Sequence, residues 1–164
     1  RDGVEKIAKA YYKILVKSVI LTASDKDDKI VVNRLSNGKT KIQFFEKDKL
    51  YFEKEYLKDE TKEIWLYALD GDDIIDLTSN HFVLTDKTEI FGGNGNDTIW
   101  SANGSDIIDG GNGNDTINGG SGNDILSGGP GADTFEFSAT AGSDVISDFD
   151  ISKDAIKFYV RELE

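Results

Sequence analysis

The sequence predicts a mostly β protein whose second half is a flattened solenoid of nine-residue units, preceded by a β-rich segment with an N-terminal helix. Three observations carry this prediction. Residues 92–136 align with themselves every nine residues, as GGNGNDTIW, SANGSDIID, GGNGNDTIN, GGSGNDILS and GGPGADTFE. Two columns are strict in chemistry: aspartate in the sixth place (Asp97, Asp106, Asp115, Asp124, Asp133) and an apolar residue in the eighth (Ile99, Ile108, Ile117, Leu126, Phe135). Charge is divided unevenly. Residues 1–67 carry 15 basic and 12 acidic side chains, net +3, whereas residues 68–164 carry 4 and 19, net −15, in a chain of 164 residues with a formal charge of −12.

The eighth column predicts short strands. One apolar residue flanked by polar ones reads as a three-residue strand whose middle side chain points inward. A core of one residue in nine is too thin for a unit to stand alone, so the units must stack in register. If the turns alternate left and right, two units complete one coil. Ile99, Ile117 and Phe135 then line one sheet and face Ile108 and Leu126 from the other.

The sixth column needs a different cause. Residues 92–136 hold seven acidic side chains and no basic one. Carboxylates stacked at a strand spacing of about 4.8 Å repel one another unless a cation lies between them. The glycines permit positive φ and let backbone carbonyls turn toward a common centre. Carboxylate and carbonyl oxygens, with no histidine or cysteine in these units, form a hard-oxygen site suited to Ca²⁺, whereas Mg²⁺ demands a stricter octahedron.

These residues resemble the RTX nonapeptide repeat, GGxGxDxUx, of hemolysin-type calcium-binding proteins. The likeness extends to ATAGSDVIS (139–147), with Gly142, Asp144 and Ile146 in register after a two-residue insertion, and upstream to ALDGDDIID (68–76). VLTDKTEIF (83–91) keeps Ile90 but has Thr88 where the aspartate belongs, and the unit 101–109 begins Ser101, Ala102 in place of a glycine pair. The resemblance implies a parallel β-roll in which each ion sits between one loop and the loop two units on. Both aspartates and carbonyls of the first four loop positions would hold it. The implied ligand positions are Gly92, Gly93, Asn94, Gly95 and Asp97; Asn103, Gly104 and Asp106; Gly110, Gly111, Asn112, Gly113 and Asp115; Gly119, Gly120, Ser121, Gly122 and Asp124; Gly128, Gly129, Gly131 and Asp133; and Gly142 with Asp144. Asp97, Asp115 and Asp133 would share one edge, and Asp106, Asp124 and Asp144 the other. Pairing neighbours along each edge implies roughly four Ca²⁺ ions. The resemblance further implies export through a type I secretion channel, folding in external calcium, and a secreted or bacterial cell-surface location.

The remaining elements follow in chain order. VEKIAKAYYKILVKSVIL has apolar residues at 4, 7, 8, 11, 14 and 15, the spacing of an amphipathic helix with lysines on its other faces. Strands follow at KIVVNRL, TKIQFFE, LYFEKEY and EIWLYAL, with Asn37-Gly38 as a hairpin turn between the first two. This reading places a capping segment at 1–66, the β-roll at 67–149 and a closing flank at 150–164. Uncapped, the terminal strands of the roll would be adhesive edges. No apolar run is long enough to span a bilayer.

Composition and motifs exclude several functions. An acidic surface is a poor partner for nucleic acid. The chain has no cysteine, so thiol chemistry is closed to it. It starts RDGVEK and contains no methionine, as expected of a piece of a larger protein. His81 is the only histidine, so no HExxH zinc site exists, and no GxSxG supports a serine nucleophile. GKT at 38–40 lacks the first glycine of a phosphate loop, since Asn33 stands there. The expectation is a calcium-binding module, not an enzyme, that supports secretion and stability of a toxin, adhesin or exoenzyme. The alternative is an adhesion or carbohydrate-binding module with a cell-surface or glycan ligand.

Overall fold

A computed structural model describes residues 18–57, 63–78 and 87–159, and every helix or strand among them is a strand. In chain order these are β1 (Ser18–Thr22), β2 (Asp28–Arg34), β3 (Thr40–Glu46), β4 (Lys49–Tyr56), β5 (Glu63–Asp70), β6 (Ile74–Asp76), β7 (Lys87–Asn94) and β8 (Thr98–Trp100). The series continues with β9 (Asn103–Gly104), β10 (Ile107–Asn112), β11 (Thr116–Asn118), β12 (Ser121–Gly122), β13 (Ile125–Ser127), β14 (Thr134–Ser138), β15 (Val145–Ile146) and β16 (Ala155–Tyr159).

The chain alternates between two faces. One is a six-stranded sheet, β1-β5-β7-β10-β13-β15, parallel throughout. The other runs β16-β14-β11-β8-β6-β2 in parallel and ends in the antiparallel ribbon β2-β3-β4. This is the expected parallel roll with two units to a coil. Ile90, Ile108, Leu126 and Ile146 are successive partners on the first face. Ile75, Ile99, Ile117, Phe135 and Ile156 are successive partners on the second. Ile75, Ile99, Ile117, Leu126 and Phe135 are fully buried, and each such side chain contributes about 1.5–3 kcal/mol by leaving water.

Glycine sets how closely the turns approach. Gly111 (φ 101°) and Gly113 (φ 136°) lie against the carbonyl oxygens of Gly93 and Gly95 in the coil below, where a Cβ would overlap the backbone. Any larger residue at either place forces the coils apart.

Below the repeats, β1 and β2 continue the two sheets without a break in hydrogen bonding. The β2–β3 hairpin turns at Asn37-Gly38, where Gly38 takes φ 81° and its amide donates to the Leu35 carbonyl at 2.9 Å. GKT is therefore part of a hairpin turn. The β3–β4 hairpin turns at Lys47-Asp48, both with positive φ, the two-residue geometry that matches strand twist. Ile42 and Phe44 of β3 are buried, and the Phe44 ring packs on Phe52 at 5.1 Å.

The N-terminal helix expected from the lysine-rich segment falls mostly on residues outside those described, as does His81. Its last four residues are corrected: 18–21 belong to β1, with Val19 and Leu21 paired against Ile64 and Leu66. Residues 16–21 are rich in β-branched side chains, which fit a pleated sheet better than a helix.

Candidate metal centre

Each sixth-column aspartate of the clean repeats is buried, with about 1% of its surface exposed. One oxygen of each carboxylate links two coils. The Asp97 amide donates to Asp115 Oδ1 at 2.8 Å, and the Asp115 amide to Asp133 Oδ1 at 2.8 Å. On the opposite edge the Asp106 amide donates to Asp124 Oδ1 at 2.9 Å, and the Asp124 amide to Asp144 Oδ1 at 3.0 Å. The two ladders hold the residue sets expected for the two edges, which also fixes the nine-residue register and places Asp144 after its two-residue insertion.

The second oxygen is the informative one. Asp97 Oδ2, Asp115 Oδ2, Asp124 Oδ2 and Asp133 Oδ2 are buried without a hydrogen-bond donor. Each points at the first glycine of its own unit: Gly92, Gly110, Gly119 and Gly128 in turn, where a Cβ would overlap the carboxylate. The position a Cβ on Gly92 would take is also crowded by the Gly110 carbonyl oxygen, and the Gly128 carbonyl stands similarly near Gly110. Buried carboxylate oxygens without donors, each against a residue with no side chain and in two cases beside a carbonyl oxygen of the next coil, form a cradle for a cation. An unpaired buried charge costs several kcal/mol per ion, so a cation is the physical completion of this arrangement. Among the described residues no three carboxylate or imidazole groups converge on one point. An ion held here must take most of its ligands from the backbone, which suits the flexible all-oxygen shell of Ca²⁺. The residues therefore fit calcium.

The other residues expected at the site take distinct places. Gly93, Gly95, Gly129 and Gly131 stack on carbonyls of the neighbouring coil, as Gly111 and Gly113 do. Asn94 and Asn112 form an outer amide ladder, with Asn112 Nδ2 donating to Asn94 Oδ1 at 2.6 Å. Asn103 and Gly104 pair in parallel with Ser121 and Gly122, and Gly142 bridges to Gly122. Gly120 packs on the Ala102 carbonyl.

Burial dominates the electrostatics. It raises the carboxyl of Asp97 to about 6 and those of Asp115 and Asp124 to about 7, with neighbouring aspartates adding to the rise and the ladder amides opposing it. Asp73 goes to about 8 for the same first reason, and Asp106 and Asp133 also rise. Their unfolded value is about 3.9, so without metal the folded chain binds more protons than the unfolded one. That contribution to stability is fully present below about pH 4 and is lost as pH rises through about 6 to 8. In metal-free buffer, acidification from pH 8 to 5 is accordingly expected to increase β structure by circular dichroism. In calcium the same protons compete with the ion, and apparent affinity should fall over that range.

A family model for the RTX calcium-binding nonapeptide repeat matches residues 89–117 and 102–135, with four copies. Residues 89–135 are RTX calcium-binding repeats. No curated protein and no solved structure matches the chain. The aspartate ladder runs beyond the matched RTX repeats in both directions. The Asp28 amide donates to Asp73 Oδ1 at 2.6 Å, the Asp73 amide to Asp97 Oδ1 at 2.8 Å, and the Asp133 amide to Asp154 Oδ1 at 3.0 Å. Asp28 and Asp154 escaped sequence reasoning because their loops, ASDKDDKIV and FDISKDAIK, contain no glycine. Their signal is the remnant Asp-x-Ile, seen at Asp28-Lys29-Ile30 and Asp154-Ala155-Ile156. Asp73 also leaves Oδ2 without a donor, but its unit begins with Ala68 in place of the first glycine.

Proposed function

We propose that the RTX array is a calcium-triggered folding module that supports secretion and extracellular stability of a larger bacterial protein. The observation that carries this reading is the set of four donorless carboxylate oxygens over Gly92, Gly110, Gly119 and Gly128. One ion per cradle gives four. In a low-calcium interior the carboxylates repel and the thin core does not offset chain entropy, which keeps the chain extended enough for a secretion channel. Outside, the ions screen the carboxylates and binding energy becomes folding energy. Among the described residues no helix is long and apolar enough to cross a membrane. The test is export of the chain from a host carrying a type I channel, with and without Asp97, Asp115, Asp124 and Asp133 changed to Asn. The parent chain should fold outside the cell in calcium, and the quadruple variant should emerge but fail to become protease-resistant.

The array supplies no nucleophile, base and orienting partner in one place, and its carboxylates form a periodic lattice rather than an acid–base pair. Purified chain is expected to turn over no ester, peptide or glycoside substrate. Turnover abolished by a single substitution within residues 18–159 would contradict this.

A further inference from the structure

We infer that the ion row on the second edge stops at Asp106, where the Ser101 hydroxyl takes the place of a cation and no ion lies between the facing loops 101–106 and 119–124. The inference rests on the calcium reading of the four cradles and sets its limit. Asp106 belongs to the same ladder as Asp124 and is equally buried, yet both its oxygens are satisfied by protein. Thr88 donates its amide to Oδ1 at 2.7 Å, and Ser101 Oγ donates to Oδ2 at 2.5 Å. The oxygen that lacks a donor at Asp97, Asp115, Asp124 and Asp133 is at Asp106 already engaged by a hydroxyl proton, so no bare carboxylate oxygen is left there for a cation.

Two departures from the repeating pattern act together here. Ser101 replaces the first glycine and brings a hydroxyl to the carboxylate, whereas at Gly92, Gly110, Gly119 and Gly128 a Cβ would overlap it. Thr88 replaces the aspartate of the coil before, removing the repelling carboxylate there. On the first edge Ser24 donates both its amide (2.7 Å) and its hydroxyl (2.8 Å) to Asp28 Oδ2, while Asp28 Oδ1 is buried without a donor. A serine donor thus stands at the N-terminal end of each ladder, and of these two ends only Asp106 has both carboxylate oxygens satisfied.

Counting bound calcium by native mass spectrometry tests this. Asp106→Asn keeps both partners, since the Asn oxygen accepts from Thr88 and its amide donates to Ser101, so it should fold and bind as many ions as the parent chain. Asp115→Asn should bind at least one fewer, and Ser101→Gly one more. Loss of an ion in Asp106→Asn, or an unchanged count in Ser101→Gly, would overturn the inference while leaving the four cradles intact. A parent chain that binds no calcium, or an unchanged count in Asp115→Asn, would overturn the cradle reading and this inference with it.

Discussion

In a calcium chelator at pH 8 the roll over residues 68–149 is expected to lose most of its β signal by circular dichroism, and to regain it when calcium returns. The cause is a balance of two terms. Each coil buries a single large apolar side chain per face, such as Ile99, Ile108 or Ile117, worth about 1.5–3 kcal/mol. Ordering each residue of the nine costs about 1–2 kcal/mol of backbone entropy, and hydrogen bonds close only part of that gap. The carboxylates then tip the balance, because at pH 8 most of them must be charged in the folded state without a partner. The midpoint in calcium should lie in the extracellular range, about 10⁻⁴ to 10⁻³ M. A β spectrum that persists unchanged in chelator at pH 8 would show that packing alone holds the roll.

Asp115→Ala should be far more damaging than Asp109→Ala, although the residues are six apart and carry the same charge. Asp115 Oδ1 accepts from the Asp97 amide, and its Oδ2 faces the cradle over Gly110. Truncation removes a coil-to-coil hydrogen bond and a metal ligand at once. Loss of one ion alone removes about 2.7 kcal/mol when calcium is a hundredfold above its dissociation constant. Asp109 lies half-buried on the outer side of β10, with its carboxyl raised by burial and by the Asp148 charge. Its removal relieves a repulsion and should shift stability by no more than about 0.5 kcal/mol. Thermal melts in fixed calcium decide the point, and equal losses at the two positions would mean that the ladder does not hold the ions.

The clean repeats were legible because two columns with different physical tasks repeat at one period. The eighth column fixed which residues face inward, and the two-unit coil followed from stacking alone; Ile99, Ile117 and Phe135 pair as that argument requires. The ends of the ladder were harder to see. Around Asp28 and Asp154 the glycines are gone, because a terminal carboxylate takes donors from its own loop, Ser24 in one case and the Asp150 amide at 2.7 Å in the other. Without an ion there is no cradle to leave open, and the glycine signal vanishes with it. Ser101 was visible as a departure from the pattern, but its meaning depends on a side-chain rotamer that no spacing reveals. The lysine-rich N-terminal pattern read as helix as far as Leu21, because periodicity carries no information about which face of a sheet will recruit Val19.

The most direct measurement of the central claim is anomalous diffraction from crystals grown in calcium. Peaks are expected over Gly92, Gly110, Gly119 and Gly128, each about 2.3–2.6 Å from the Oδ2 of Asp97, Asp115, Asp124 or Asp133 in turn. A folded roll with no peak in those four places, or with ions confined to the outer faces of the sheets, would contradict it.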